Sequence, residues 1–369
     1  MTEPVTADTA HDSRVLGQAR EALWQAVSGR DEYAARHVVF ALRDVGVSVE
    51  DILLDVVAPV QRKVGAEWAA DRLTVAQEHA ATAIHERVIA ALAHRNGETG
   101  PDGTAGTVAV SCVEGEWHAL PARIVAEVLQ QRGYRIDFLG AQVPTARLIT
   151  HLHQTAPVAL ALSSSLPTRL PDAHKAITAA QAVGVPVLAG GAAFGADGRH
   201  ARRLGADAWA PDARTAAAVL DRGLPRPRTG AVRQTVEDLP HLADQEYTLI
   251  VRRKRQLVRN TLTGLNTRLP AMRSYSDTQR ERTAEDVGHI VDFLAAALYT
   301  DDADLFVGFV GWTGDILSAR GVPARVLDPC LAVLEEELKD FPRALGVLAV
   351  GRAFVRGDTP SAPGGVSTA

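Results

Sequence analysis

Glu116-Trp117-His118-Ala119-Leu120-Pro121 lies just past an apolar run, residues 108–112, that reads as the first β-strand of an alternating β/α pattern. Open parallel sheets place their ligands just beyond the carboxyl ends of strands, so His118 is a candidate metal ligand. Glu116, two residues earlier, is placed to fix the tautomer of the ring and raise its basicity. Taken alone, a loop histidine is more often solvated or a cap. Two later strand ends shift that balance. A second buried run, 157–162, ends at Ser163-Ser164-Ser165-Leu166, and a third, 185–189, closes on Gly190-Gly191. Hydroxyls offer hydrogen bonds to a buried ligand, and glycines permit close backbone approach.

Around that stretch the alternation is regular. Strands are expected near 107–112, 135–139, 158–163, 186–189 and 206–208, with helices near 118–132, 145–154, 170–183 and 212–222. This predicts a doubly wound, Rossmann-like α/β domain over 106–223. No Gly-x-Gly-x-x-Gly follows the first strand, which disfavours a dinucleotide enzyme. Upstream, four apolar-periodic segments (13–29, 31–45, 49–70 and 74–95) joined by short turns predict a four-helix bundle over 13–96. Downstream of a Pro/Arg-rich linker, 223–230, the segments near 244–265, 277–300, 303–320, 324–339 and 342–355 all read as helix, giving an all-α domain over 234–356. The polar residues 1–12 and the Pro/Gly/Ser-rich residues 358–369 read as disordered tails.

Composition fits several soluble domains. The chain has 369 residues, 46% hydrophobic, with a net charge of −5, which implies no nucleic-acid partner. Two cysteines, Cys112 and Cys330, no signal peptide and no apolar run of membrane length lead to the expectation of a cytoplasmic protein. The basic run Arg252-Arg253-Lys254-Arg255 lies within an amphipathic helix and reads as a solvated face.

The order His118, Ser-x-Leu, Gly-Gly resembles the cobalamin-binding module of methionine synthase and its relatives. There an Asp-x-His-x-x-Gly loop gives the lower cobalt ligand, and serine and glycine loops line the channel for the displaced nucleotide tail. The resemblance implies His118 as that ligand, in a base-off/His-on state, with Glu116, Trp117, Ser163, Ser164, Ser165, Leu166, Gly190 and Gly191 around the cofactor. Glu116 stands for the aspartate and Pro121 for the final glycine, and the gap from Leu166 to Gly190 is a few residues short. Glutamate still accepts a hydrogen bond, and proline is tolerated in the first turn of a helix.

A second motif lies upstream. Trp68, nine residues, then Glu78-His79 resembles light-sensing adenosylcobalamin proteins of the CarH type, where the pattern caps the upper axial face. Thr74 to Gln77 gives a capping box, so Trp68 and Glu78-His79 flank one turn. The resemblance implies an indole packed on an adenosyl group and Glu78 accepting from its ribose. Ala69 stands where CarH-type repressors carry the histidine that caps cobalt after photolysis, which leaves His79, or water, as the light-state ligand. Their winged-helix region is missing, so no direct DNA binding is expected.

The segment from His289 to Trp312 resembles the C-terminal region of photocobilins, photoreceptors that join a cobalamin module to a globin-like helical domain holding biliverdin. The resemblance implies His289 and Asp292 at the polar centre of a bilin site, Phe293, Phe309 and Trp312 as its walls, and Arg273, with Arg280 and Arg282, as propionate partners. Cys330 is either a thioether site or a small buried hydrophobe. The implied function is a light-sensing photoreceptor, not an enzyme, carrying adenosylcobalamin and biliverdin. It would be a homo-oligomer with light-dependent assembly and an output partner the sequence does not identify. The alternative is the corrinoid protein of a B12-dependent methyltransferase system.

Overall fold

The computed structural model describes residues 5–96, 105–227 and 239–358. Four helical rods come first: α1 (Val5–Ser28), α2 (Glu32–Asp44), a rod in which α3 (Val49–Asp51) runs through a π-type stretch, Ile52–Val57, into α4 (Ala58–Ala69), and α5 (Val75–Asn96). Val56, Val60 and Val64 on one rod and Ala81, Ile84, Val88 and Leu92 on another recur at helical spacing and are buried. Burial of these stripes is the main attraction between the rods. The capping box before α5 is present: Gln77 N donates to Thr74 Oγ1 at 3.2 Å and Thr74 N to Gln77 Oε1 at 2.9 Å. One expectation fails at the start of the chain. Residues 5–12, read as part of a disordered tail, belong to α1, because no glycine or proline interrupts the chain between Val5 and Leu16.

The α/β part comes next, as β1 (Thr107–Cys112), α6 (Ala119–Gln131), β2 (Arg135–Gly140), α7 (Thr145–Thr155), β3 (Ala159–Ser163), α8 (Leu170–Ala182), β4 (Val187–Gly190), α9 (Arg199–Arg203), β5 (Ala208–Ala210) and α10 (Ala213–Asp221). All pairings are parallel, in the order β2-β1-β3-β4-β5. The register brings Cys112 beside Ser163, Ser163 beside Gly190 and Gly190 beside Ala210, so four strands end at one level. The chain reverses its winding direction between β1 and β3, which is where such sheets open a crevice. The fifth strand is 208–210 rather than 206–208. Asp207 is occupied as a corner, its Oδ2 accepting from Val187 N and Gln181 Nε2, both at 2.9 Å.

One helix serves two cores. Leu120, Ile124 and Val128 of α6 pack into the helical bundle, while Ala122, Ala126 and Leu129 pack on the sheet. The first set recurs at i, i+4 and i+8 and the second at i, i+4 and i+7, helical spacings that put the two on different faces of α6.

The remaining helices are α11 (Glu246–Arg268), α12 (Asp277–Thr300), α13 (Ala303–Ala319), α14 (Leu327–Glu337) and α15 (Pro342–Arg356). They share one apolar cluster with the far face of the sheet, Leu160, Leu162 and Ile177 joining Leu294, Phe306, Leu331 and Leu348. The tie is also polar: His174 Nδ1 on α8 lies 2.8 Å from Tyr299 Oη on α12. Residues 1–4, 97–104, 228–238 and 359–369, which include parts of the expected linkers, both tails and the third domain, lie outside the described residues. Among the described residues no helix is long and apolar enough to cross a membrane.

His85 is a fully buried titratable group of the bundle. Its Nδ1 is 2.6 Å from Gln61 Oε1, its Nε2 is buried without a partner, and burial pushes its pKa down from 6.5 to about 4. The unfolded chain therefore takes up a proton that the fold resists. Stability is full above about pH 6.5 and falls as the pH drops toward about 4, by about 3 kcal/mol. Urea unfolding at about pH 7 and about pH 4.5 checks this: His85→Leu should lose markedly less stability on acidification than the parent. Equal losses in both proteins would remove His85 as the cause.

Candidate functional site

The loops that leave β1 and β3 meet on one carboxylate. Glu116 is fully buried. Its Oε1 accepts from Trp117 N (3.0 Å), His118 N (3.1 Å) and His118 Nδ1 (2.5 Å), and its Oε2 from Ser165 N (2.8 Å), Leu166 N (3.0 Å) and Ser164 Oγ (3.3 Å). Burial alone would raise its pKa, but these donors and the imidazole outweigh it and hold the carboxyl down at about 2. The ring of His118 is thereby fixed through Nδ1 and leaves Nε2 as its free nitrogen, on a side chain 45% exposed. The pairing of Glu116 with His118 read from the sequence is thus present in the fold. Trp117, at 66% exposed, stands edge-on to the His118 ring at 6.0 Å between centroids.

The serine and glycine loops close on the same unit. Ser164 and Ser165 are buried, Ser163 and Leu166 half-buried. Gly191 has φ +98°, and a Cβ there would lie 2.3 Å from Ser164 O, so only glycine lets the loop after β4 approach the loop after β3. Glu114 holds the neighbouring loop by accepting from Thr145 N (3.0 Å) and Oγ1 (2.8 Å) at the start of α7. Cys112, beneath, is an unreactive thiol pushed up to about 12, by burial first and then by the Glu116 charge.

Above the strand ends lies a cavity of about 690 Å³. One part, between the sheet and α6, is walled by small and apolar side chains such as Val110, Ala161, Leu188, Ala210, Leu120 and Pro121, with Ser163, Gly190 and Gly191 at its edge. Another part reaches Leu54, Ala58, Gln61 and Arg62 of the bundle. The π-type stretch leaves Leu54 half-buried while Ile52, Leu53, Val56 and Val57 are buried, an irregularity of the kind that collects at functional sites. Arg214, also on the wall, ties the α/β part to the bundle through Asp51 (2.7 Å) and Asp55 (2.6 Å). The sequence reading named none of these bundle residues, nor Arg199, His200 or Trp209. Apolar periodicity marks Leu54 and Ala58 only as members of a helix.

Trp68 and Glu78 flank the α4–α5 turn as the motif predicts, but both are engaged with protein. The Trp68 ring lies 6.1 Å from that of Trp312, and the Arg320 guanidinium sits 5.8 Å from the centroid of the Trp68 ring while pairing with Asp71 at 3.4 Å. Glu78 accepts from Thr82 Oγ1 at 2.9 Å, and Thr82 accepts in turn from Gln61 at 2.8 Å, which links this motif to the cavity wall. His79 is on the exposed side of α5, its Nδ1 near Val75 O (2.9 Å) and Glu78 (2.7 Å).

Residues 106–220, which carry this geometry, match the family model "B12 binding domain", and residues 19–93 match a second model described as "B12 binding domain". The chain carries a cobalamin-binding module. The residues present fit such a group: one imidazole, oriented by Glu116 through Nδ1, keeps its other nitrogen unengaged on a part-exposed side chain. Similar solved structures include the monomethylamine corrinoid protein of Methanosarcina barkeri (20% identity, 55% of this chain and 97% of that one, TM-score 0.46). They also include the methanol:cobalamin methyltransferase complex MtaBC of Methanosarcina barkeri (19%, 56% and 79%, 0.30) and a cobalamin-binding protein from Desulfitobacterium hafniense DCB-2 (20%, 55% and 97%, 0.32). No curated protein matches the chain.

The residues named for a bilin do not form a slot. His289 is exposed, and Asp292 pairs with Lys254 at 2.6 Å. Phe293 and Phe309 stack on each other, centroids 3.8 Å apart and rings 8° from parallel, so the expected walls fill one another's space. Trp312 lies 6.3 Å from Phe309 and turns toward Trp68. Arg273, Arg280 and Arg282 are exposed. Cys330 is buried, with its thiol pushed up to about 12 by burial and by Asp286, the environment of a small hydrophobe.

Gly191→Ala tests the packing of the three loops. The Cβ overlaps backbone and the left-handed φ strains it, so the variant should lose about 3 kcal/mol in urea unfolding. A change below about 0.5 kcal/mol would show that the loop adapts.

Proposed function

We propose that this chain is a light-responsive protein that holds adenosylcobalamin with His118 as the lower cobalt ligand, and that it acts as a cofactor-bearing sensor rather than an enzyme. The observation that carries the reading is the Glu116–His118 pair, which orients one imidazole with Nε2 free at the mouth of the module. Adenosylcobalamin supplies a cobalt–carbon bond that light breaks. The protein's part is to hold the lower face through His118 and to receive the tail in the small-residue channel with Ser163, Ser164, Ser165, Gly190 and Gly191 at its edge. The four rods of 13–96 serve as the cap, with Trp68 and Glu78 toward the upper face and His79 or water available once the adenosyl group leaves.

Support for sensing rather than methyl carriage comes from the α4–α5 turn. A methyl carrier needs an upper face that a partner enzyme can reach, whereas this turn is clamped from outside by Trp312 and Arg320. A shift of Trp68 is felt directly by α13. Rearrangement between copies of the chain is the output proposed, passed to a partner of undefined identity.

His118→Ala should bind hydroxocobalamin at least tenfold more weakly and change its absorption spectrum; unchanged affinity and spectrum remove the ligand assignment. Trp68→Ala should lose the preference for adenosylcobalamin over methylcobalamin, and a retained preference removes the capping role.

Biliverdin enters the proposal as a second, noncovalent chromophore of a globin-like domain spanning 234–356. It rests on the His289–Trp312 segment and requires the Phe293–Phe309 stack to open, with Asp292 released from Lys254. Titration of the full chain with biliverdin should shift the pigment's red absorption. An unshifted spectrum in a folded protein leaves a cobalamin-only sensor.

A further inference from the structure

The cobalamin cavity is not enclosed by the bundle and the sheet alone. Leu305, Val307 and Gly308, in the first turns of α13, stand on its wall with Asp302 and Asp304 at the rim. The two family matches cover residues 19–93 and 106–220, so neither reaches this side. We propose that α13 is a third wall of the cobalamin site, supplied by the C-terminal helices, and that the module holds its corrinoid at full strength only with those helices docked. The inference rests on the cobalamin reading of the site.

The pattern along α13 supports the assignment. Phe306, Phe309 and Val310 point into the apolar cluster of the C-terminal helices. Val307 is 7% exposed yet belongs to none of the apolar clusters, which is the position of a side chain buried against the cavity. Asp304, Val307 and Gly308 share a face at i, i+3 and i+4. An aliphatic side chain and a glycine suit the flank of a corrin, and a lining that carries both carboxylates, Asp302 and Asp304, and guanidinium groups, Arg62 and Arg199, suits peripheral carboxamides, which both donate and accept.

The wall is fixed by α9, which also lines the cavity. His200 Nδ1 lies 3.0 Å from Ala193 O, and its Nε2 lies 2.9 Å from Asp302 Oδ2. Asp302 is also the N-cap of α13, and Arg199 lies 3.3 Å from it and 3.8 Å from Asp304. Arg203 donates to the carbonyls of Thr300 and Asp301 that end α12. The last link is midway along α13, where Trp312 meets Trp68. Thus α13 touches the cavity at its start and the upper-face tryptophan two turns later.

Two measurements on the full chain test this, with hydroxocobalamin as the probe. Absorption titration should give Gly308→Leu, which places a side chain in the cavity, at least tenfold weaker binding, and Asp302→Ala, which releases the wall from His200, severalfold weaker binding. Hydrogen exchange on the unmodified protein, which does not depend on any variant folding, should show amides of 303–311 protected when hydroxocobalamin is added. A parent that binds the probe while 303–311 gain no protection and Gly308→Leu binds as well as the parent overturns the third wall and leaves the cobalamin reading standing. A parent that takes up no hydroxocobalamin overturns both.

Discussion

The Glu116 carboxylate is the constraint on which the site depends. It is buried in a crevice where an unpaired charge would be strongly unfavourable, and it is tolerable only because six donors from two loops converge on it. Its two oxygens divide the work, Oε1 serving the loop after β1 and Oε2 the loop after β3. The loops therefore form together or leave a buried acceptor unsatisfied. Gly191 extends the unit, because its backbone rests against Ser164 O and ties in the loop after β4. His118 inherits its orientation from this arrangement: a ring held at Nδ1 by a carboxylate that stays ionised keeps Nε2 as its unengaged nitrogen.

Attachment of the bundle is a different kind of problem. The apolar faces of α6 provide most of the attraction, since the same helix buries one stripe in the bundle and another against the sheet. Charged groups add direction more than energy. Arg214 to Asp51 and Asp55, and Arg132 to Glu50, are partly exposed pairs of modest worth individually, but they fix where α3 and the π-type stretch stand over the strand ends. That placement sets which residues of the rod face the cavity.

The C-terminal helices pack directly on the rest of the molecule. They complete an apolar cluster with the sheet's far face, and the Tyr299–His174 contact and the His200–Asp302 pair cross the same boundary. Sheet, bundle and C-terminal helices consequently meet around one volume, and α13 is the element where contact with the cavity and contact with Trp68 coincide.

Short-range patterns in the chain were sufficient for much of this. Alternation of apolar runs with helical segments yields the parallel sheet and its helices, and the two-residue spacing of Glu116 and His118 is itself the geometry that lets one bond the other. The capping box at Thr74 and the turn between Trp68 and Glu78 are equally local. Only the tertiary structure decided which faces meet. Asp302 and His200 are 102 residues apart, and Arg214 reaches Asp55 across 159. Nothing in either neighbourhood marks the partner. The aromatic residues near 293–312 illustrate the same limit: periodicity places Phe293 and Phe309 on neighbouring helices, but whether two flat rings bracket a ligand or stack on each other depends on how closely the helices approach. That distance is set by the whole of the packed core, because dispersion and apolar burial reward any close fit without regard to which residues supply it.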